Sequence, residues 1–124
     1  MYPFGDIKCK AGPMLAGACI VKITIKGKGG HGSFPERVND PITALCAVHS
    51  NLHTIKSRNI KGDEHFVFTI CTINGGSAPN VFPDEAYMEG TIRAFSKETM
   101  KQVMEKVKLI SENTAMALDC TADV

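Results

Sequence analysis

Two hydrophobic periods alternate along this chain, and their order restricts the folds that it can adopt. Residues 18–26 place apolar side chains at every second position, and His65–Ile73 is rich in β-branched and aromatic residues. Ala86–Phe95 alternates again, and another strand pattern starts near Cys120. Because a period of two is typical of half-buried strands, the sequence predicts four strands.

Two segments with helical periodicity lie between these strands. The first opens with Asp40, a good N-cap, and with Pro41, which suits the first helical position. The second opens with the N-cap Ser96 and extends to about Ala117. Apolar side chains recur at helical spacing in both segments, and in the first they continue to about Ser57. The sequence therefore predicts two amphipathic helices.

The order strand, helix, strand, strand, helix, strand predicts an α+β fold, the ferredoxin-like β-α-β-β-α-β sandwich. In this fold a four-stranded antiparallel sheet carries both helices on one face, and right-handed crossovers fix the strand directions. The first and second strands then run the same way, so the loops that follow them emerge at one edge of the sheet. We therefore expect His31 and Asn80 to lie on neighbouring loops, and His65–Ile73 to be the outer strand.

Composition and charge argue against several classes of partner. The net charge is +1, which gives no electrostatic reason to expect nucleic acid or an anionic membrane surface. No apolar run approaches the roughly 20 residues needed to span a bilayer. The five cysteines form an odd set without a CxxC pair, and the first residues lack a signal-peptide pattern. These features predict free buried thiols and a cytoplasmic protein.

The segment Gly27–Gly32 matches the GxGxxG pattern of dinucleotide-binding loops, yet its context argues against that function. Such a loop needs a helix at once and an acidic residue about 20 positions further on. Here the next helix does not begin until Asp40, and the position expected for the acidic residue is near Leu52, which is apolar. A triad of Ser33, His31 and Asp40 is equally disfavoured, because no strained turn presents the serine.

Two histidines of the first helix raise the question of a metal site. His49 and His53 lie one helical turn apart with Cys46 on the same stripe, and histidines at this spacing can bind zinc. The segment lacks the glutamate of HExxH and a third oxygen ligand. A half-buried polar stripe at a subunit contact therefore explains these residues better. Cys71, in the second strand, is expected in the core.

Three further polar residues could be either ordinary surface residues or parts of a functional site. His31 is either a solvated loop histidine or, because glycines remove side-chain bulk and allow positive φ, a residue brought close to a ligand. Asn80 stands between Pro79 and Pro83, where a turn asparagine is common. Arg93 projects to the polar face of its strand and could be an ordinary surface cation.

Four motifs, taken together, resemble one family. They are GKGGHGSFPE at 27–36, DPI at 40–42, INGGSAPNVFPDEA at 73–86 and GTIRAF at 90–95. Their order and spacing are similar to the lid, or dimerisation, domain of the metal-dependent peptidases that include aminoacylase, glutamate carboxypeptidase and hippurate hydrolase-like amidohydrolases. The resemblance implies that residues 14–124 form this domain, truncated in its last strand. Residues 1–13 resemble the segment that joins it to a catalytic domain.

The resemblance also implies a role for the glycine-rich loop. In such enzymes His31 would reach across a homodimer into the partner's active site and hydrogen-bond the oxyanion of the tetrahedral intermediate, with Asn80 assisting. Arg93 would bind the substrate carboxylate, while Gly30 and Gly32 would let the loop approach the substrate. The substrates would be N-acyl amino acids or related amides, cleaved with two divalent metal ions, zinc or manganese.

The metal ligands and the general base of that family have no counterpart in this sequence. The chain alone is therefore expected to bind no catalytic metal and to hydrolyse nothing, whereas a parent protein that also carries a catalytic domain would be a metal-dependent amidohydrolase. Both termini resemble cut ends, which suggests a segment of a longer chain. The alternative is a non-enzymatic regulatory domain of the same fold that binds a small molecule. An RNA-recognition sheet is disfavoured, because the first strand lacks aromatic residues.

Overall fold

The computed structural model describes residues 8–10, 17–55 and 65–124. The helices are α1 (Pro41–Leu52) and α2 (Lys97–Ala117), and a short 3-10 turn spans Pro35–Arg37. The strands, in chain order, are β1 (Lys8–Lys10), β2 (Gly17–Lys26), β3 (Gly30–His31), β4 (Phe66–Gly75), β5 (Val81–Phe82), β6 (Glu85–Ala94) and β7 (Thr121–Asp123).

The main sheet is antiparallel, with β2 and β6 at its centre. Their register runs from Gly17 opposite Ala94 to Lys26 opposite Glu85. The edge of β6 that faces away from β2 pairs with β4, which has no second partner strand among the described residues. The edge of β2 that faces away from β6 pairs with β1 near one end and with β7 near the other. The order β7-β2-β6-β4 confirms the ferredoxin-like topology and the outer position of β4, and β1 adds a strand that the sequence did not predict.

The core lies between the sheet and the two helices. The side chains that alternate inward on β2 and β6 are almost completely buried beneath apolar residues of α1 and α2. Burial of each such side chain contributes about 1.5–3 kcal/mol relative to exposure. The core thus makes the sheet a rigid platform for the loops at its ends. Its fully buried members include Val21, Ile23, Ile25, Leu45, Val48, Met88, Ile92, Val103 and Val107.

Both predicted helix starts are confirmed by their caps. The Asp40 carboxylate accepts the backbone N–H of Ile42 at 2.9 Å and the Thr43 hydroxyl at 2.6 Å. The Ser96 hydroxyl accepts the Thr99 N–H at 3.0 Å. These bonds satisfy N–H groups that the first turn of a helix leaves unpaired.

The predicted end of α2 at Ala117 is confirmed, whereas that of α1 is less accurate. α1 ends at Leu52, before the predicted limit near Ser57, which lies in the undescribed residues 56–64. In α2 the apolar spacing predicts that the buried stripe continues to Ala117, but the stripe ends at Ala115 and Ala117 is exposed. A helix of this length drifts around its axis, and a stripe read from spacing alone does not follow that drift. No helix of the described residues is long and apolar enough to cross a membrane.

The cysteines differ from the sequence prediction. Cys19 is disulfide-bonded, so the prediction of free thiols throughout is wrong at this position. Cys71 was expected in the core but is exposed, because it sits at the bulge between Ile70 and Thr72, where the register of the outer strand shifts. Cys46 is also a free, exposed thiol. Cys120 is free and buried as predicted, and burial raises the pKa of its thiol, with smaller contributions from two nearby carboxylates.

Candidate functional site

The two long loops at one end of the sheet pair with each other. Gly30 of β3 lies opposite Phe82 of β5, and His31 lies opposite Val81. The backbone N–H of Gly32 donates to the Asn80 carbonyl at 2.7 Å, which extends the pairing by one residue. This confirms that the loops carrying His31 and Asn80 are neighbours, and it shows that they form a small two-stranded sheet.

The glycines of the His31 loop allow its backbone to approach neighbouring backbone segments closely. A Cβ at Gly27 would overlap the Asn39 carbonyl, and a Cβ at Gly29 would overlap the Phe82 carbonyl. At Gly32 a Cβ would lie 3.1 Å from the Asn80 oxygen. Among the described glycines only Gly76 has a positive φ, at 80°. The expectation that loop glycines supply positive φ is therefore wrong for this loop, and their missing side chains let it pack between its neighbours.

The His31 loop is held from both sides. On the side of α1, Lys28 and Asn39 exchange both of their backbone hydrogen bonds at 2.9 Å. On the side of β6, the Asp84 carboxylate accepts the Gly29 N–H at 2.8 Å, and the Asp84 carbonyl accepts the Gly27 N–H at 2.8 Å. These bonds make the loop an ordered support for His31. Sequence reasoning missed the contribution of Asp84, because it depends on a contact across 55 positions.

The imidazole of His31 is exposed and points away from the core. The Ser33 backbone N–H donates to its Nδ1 at 3.0 Å, within a turn in which the Phe34 N–H donates to the His31 carbonyl at 3.0 Å. Since Nδ1 is an acceptor in this bond, the neutral ring carries its proton on Nε2. No described group bonds to Nε2, so this N–H is available to an external acceptor.

The surroundings of His31 are apolar and cationic. The Phe34 ring meets the imidazole edge-on with a centroid separation of 6.0 Å, and it is itself 44% exposed. The Arg37 guanidinium lies 4.6 Å from the centroid of the Phe34 ring. Val81, the cross-strand partner of His31, is 48% exposed. The described ring contacts around His31 involve Phe34 and the Arg37 cation and no carboxylate. Such surroundings suit an acceptor that approaches Nε2 and develops negative charge.

Asn80 and Arg93 occupy different places relative to His31. Asn80 lies next to the His31 loop, because its carbonyl accepts the Gly32 N–H, and its side chain is exposed. Arg93 pairs in register with Ala18 at the opposite end of the sheet from Glu85. The eight residues from Glu85 to Arg93 span about 26 Å at the usual rise of a strand. The chain thus brings His31 and Asn80 together and holds Arg93 apart.

Arg93 is exposed on the face of the sheet that the helices leave open. Its register partners on the two sides are Ala18 and Val67, neither of which is charged. No described carboxylate forms an ion pair with it. Arg93 is therefore a cation available to an external carboxylate.

A second surface lies along the outer strand. α1 packs over β2 and β6, so the inward-facing side chains of β4 extend beyond it. We refer to Phe68, Ile70 and Ile73 as the β4 shelf; Phe68 and Ile70 are half-buried and Ile73 is 54% exposed, whereas Phe66 at the start of β4 is buried in the core. A groove of about 420 Å³ separates much of this shelf from the end of α1. The shelf and the unpaired edge of β4 together form an apolar surface that can accept another strand.

The histidine pair at the C-terminal end of α1, His49 and the C-cap residue His53, lines this groove. The rings of His49 and His53 meet edge-on with their centroids 4.9 Å apart, and the His53 Nδ1 lies 2.9 Å from the His49 carbonyl. Within the described ranges no group of three or more histidine, cysteine or acidic side chains is arranged to hold a metal ion. The pair thus belongs to the wall of the groove. Of the predicted half-buried polar stripe only His49 is half-buried, whereas His53 and Cys46 are exposed.

Comparison with known proteins identifies the family. The sequence profile of the M20 peptidase dimerisation domain matches residues 14–118. The chain is 38% identical over 123 residues to an N-acetyldiaminopimelate deacetylase of Geobacillus sp. strain WCH70, covering 99% of this chain and 33% of that protein. It is 39% identical over 121 residues to an N-acetylcysteine deacetylase of Bacillus subtilis strain 168, covering 98% of this chain and 32% of that protein.

A solved structure extends the likeness to the fold. The chain matches the crystal structure of the Bacillus subtilis YxeP protein, a dinuclear metal-binding peptidase of the M20 family. The match covers 97% of this chain and 28% of the YxeP chain. The sequence identity is 32% and the TM-score is 0.66. The chain thus spans about a third of the length of the relatives that it matches. It belongs to the M20 peptidase dimerisation domain family.

Proposed function

We propose that this chain is the dimerisation and lid domain of a metal-dependent amidohydrolase that cleaves N-acyl amino acids or related amides. The observation that carries the proposal is the exposed His31 ring, whose Nδ1 accepts the Ser33 N–H and whose Nε2 has no described partner, on a loop anchored on both sides. The deacetylase relatives support N-acyl amino acids as the substrate class. Family membership favours this function over the alternative of a regulatory ligand-binding domain.

In this proposal His31 acts in the active site of the partner subunit. When a nucleophile adds to an amide carbonyl, negative charge develops on the carbonyl oxygen. The Nε2–H of His31 donates a hydrogen bond to that oxygen, and Asn80 assists from the adjoining loop. One such preorganised donor contributes about 3–4 kcal/mol to the stabilisation of the transition state in a site closed to water. Gly30 and Gly32 keep the backbone beside the imidazole free of side chains that would hinder the substrate.

The separation of His31 and Arg93 supports a division of labour within a dimer. One substrate molecule cannot span about 26 Å, the approximate length of eight strand residues. A single subunit therefore cannot direct both side chains to the same substrate. In the proposed dimer each active site receives His31 from one subunit and Arg93 from the other, and Arg93 grips the substrate carboxylate with two parallel hydrogen bonds.

Metal ions in this proposal belong to the catalytic domain of the parent protein. Two divalent ions, zinc or manganese, would activate the attacking water and polarise the amide. The described residues of this chain offer no ligand set that fits such ions. The part played by this chain is therefore donation of hydrogen bonds, binding of the carboxylate and exclusion of water.

The surface that we propose for pairing with a second copy consists of the β4 edge, the β4 shelf and α1. The edge offers unpaired backbone groups, and the shelf offers apolar side chains that α1 leaves uncovered. Two such edges related by a twofold axis would form one continuous sheet and cover both shelves. His49 and His53 would then lie at the subunit contact.

Replacement of His31 in the full-length parent enzyme tests the catalytic role. For His31→Ala we expect kcat to fall by roughly 10²–10³-fold, the usual effect of removing one oxyanion donor. The melting temperature should change little, because the ring is exposed and its described contacts are the Phe34 ring and one exposed hydrogen bond from the Ser33 N–H. His65→Ala, which removes another exposed histidine far from this loop, is the matched control. Near-normal turnover in His31→Ala would exclude the proposed role.

A further inference from the structure

The end of β5 carries a carboxylate that contacts the His31 loop and has no role in the mechanism so far. Asp84 follows β5 and precedes β6, and it is exposed. Its Oδ1 accepts the Gly29 N–H at 2.8 Å, and its own carbonyl accepts the Gly27 N–H at 2.8 Å. One residue therefore holds two amides of the loop that leads to His31.

The loop depends on such an external contact, because it has few side chains of its own. Of residues 27–30 only Lys28 has a side chain, and the loop cannot be fixed by packing its own groups. Its neighbours instead hold its backbone: Asn39 bonds Lys28, and Phe82 pairs with Gly30. Between these two positions the Gly29 N–H is satisfied by the Asp84 side chain alone among the described residues.

We propose that Asp84 is a positioning residue. It fixes the position and orientation of β3, and through β3 the direction of the His31 Nε2–H. A hydrogen bond to an ionised acceptor is stronger than one between neutral groups. A Cβ at Gly29 would lie 2.9 Å from the Asp84 Oδ1, so the contact also requires glycine at this position. The structural part of this inference concerns this chain alone; its consequence for catalysis rests on the proposed function.

The structural part is tested by amide hydrogen exchange on the chain, measured by NMR. In Asp84→Ala we expect the Gly29 amide to exchange about tenfold faster or more, because its acceptor is gone. Asp84→Asn retains a side-chain carbonyl oxygen and should recover most of the protection. Glu85→Ala removes the adjacent exposed carboxylate and should leave Gly29 unchanged. Unaltered exchange at Gly29 in Asp84→Ala would overturn the inference.

The catalytic part is tested in the full-length parent enzyme. Asp84→Ala should lower kcat about tenfold with little change in KM, and Asp84→Asn should restore most of that loss. A kcat at the wild-type level in Asp84→Ala, in an enzyme that His31→Ala inactivates, would overturn the positioning role. If His31→Ala is itself fully active, the proposed function fails, while faster Gly29 exchange in Asp84→Ala still supports the structural part of the inference.

Discussion

Substitution of Ile73 by lysine is expected to weaken self-association without unfolding the domain. Ile73 is the most exposed member of the β4 shelf, with 54% of its surface accessible. Complete burial of such a side chain contributes about 1.5–3 kcal/mol, so covering the exposed half contributes about 1 kcal/mol. A twofold interface loses this contribution twice, about 2 kcal/mol, which corresponds to a roughly 30-fold higher Kd. The charge that lysine brings to an apolar contact adds to this effect.

Sedimentation equilibrium of wild type and variants measures this change directly. Leu109→Lys is the matched control, because Leu109 is 52% exposed on α2, which packs on the β7 side of the sheet. We expect the control to keep the wild-type Kd, and both variants to keep the wild-type stability to within about 0.5 kcal/mol. An unchanged Kd in Ile73→Lys, or equal weakening in Leu109→Lys, would refute the assignment of the interface to β4. A wild-type chain that stays monomeric at high concentration would argue against autonomous pairing.

Two further predictions concern single groups. Long-range 15N–1H correlation NMR at neutral pH should show the proton of the neutral His31 ring on Nε2, because the Ser33 N–H occupies Nδ1; a predominant Nδ1–H tautomer would contradict the described bond. Thiol labelling at pH 8 should modify Cys46 and Cys71 before Cys120, because Cys120 is buried and its pKa is raised, which keeps it protonated as the pH increases towards the usual thiol range. Labelling of Cys120 at the rate of the other two would contradict this prediction.

The elements that the sequence predicted well are those specified by local patterns. The caps at Asp40 and Ser96 depend on contacts within one helical turn, and the alternation in β2 and β6 reflects which face each strand buries. The order of these elements left few topologies, which is why the outer position of β4 could be predicted before its partners were known.

The features that the sequence did not reveal depend on contacts between distant segments. The pairing of β3 with β5 joins two loops that each read as irregular, and Asp84 acts across 55 positions. The loop glycines signalled an unusual backbone, but the sequence could not distinguish positive φ from close approach. The bulge at Cys71 likewise depends on register within the sheet, which a single strand does not encode.

The roles of His31, Asn80 and Arg93 in catalysis remain predictions, because they depend on a second subunit and a catalytic domain. The chain itself contributes their placement: His31 and Asn80 at one end of the sheet, and Arg93 at the other. The approximate 26 Å between these ends is the reason for our proposal that each active site of the dimer is composite.

Subunit complementation tests the composite site most directly. Two inactive variants of the full-length parent enzyme are mixed: His31→Ala, and a variant that has lost the metal site of its catalytic domain. Random pairing makes about half of the dimers mixed, and each mixed dimer has one site with intact metals that receives His31 from its partner. We predict recovery of about a quarter of the wild-type activity. If His31 instead acts within its own subunit, no site in the mixture is complete, and absence of any recovery would contradict the account.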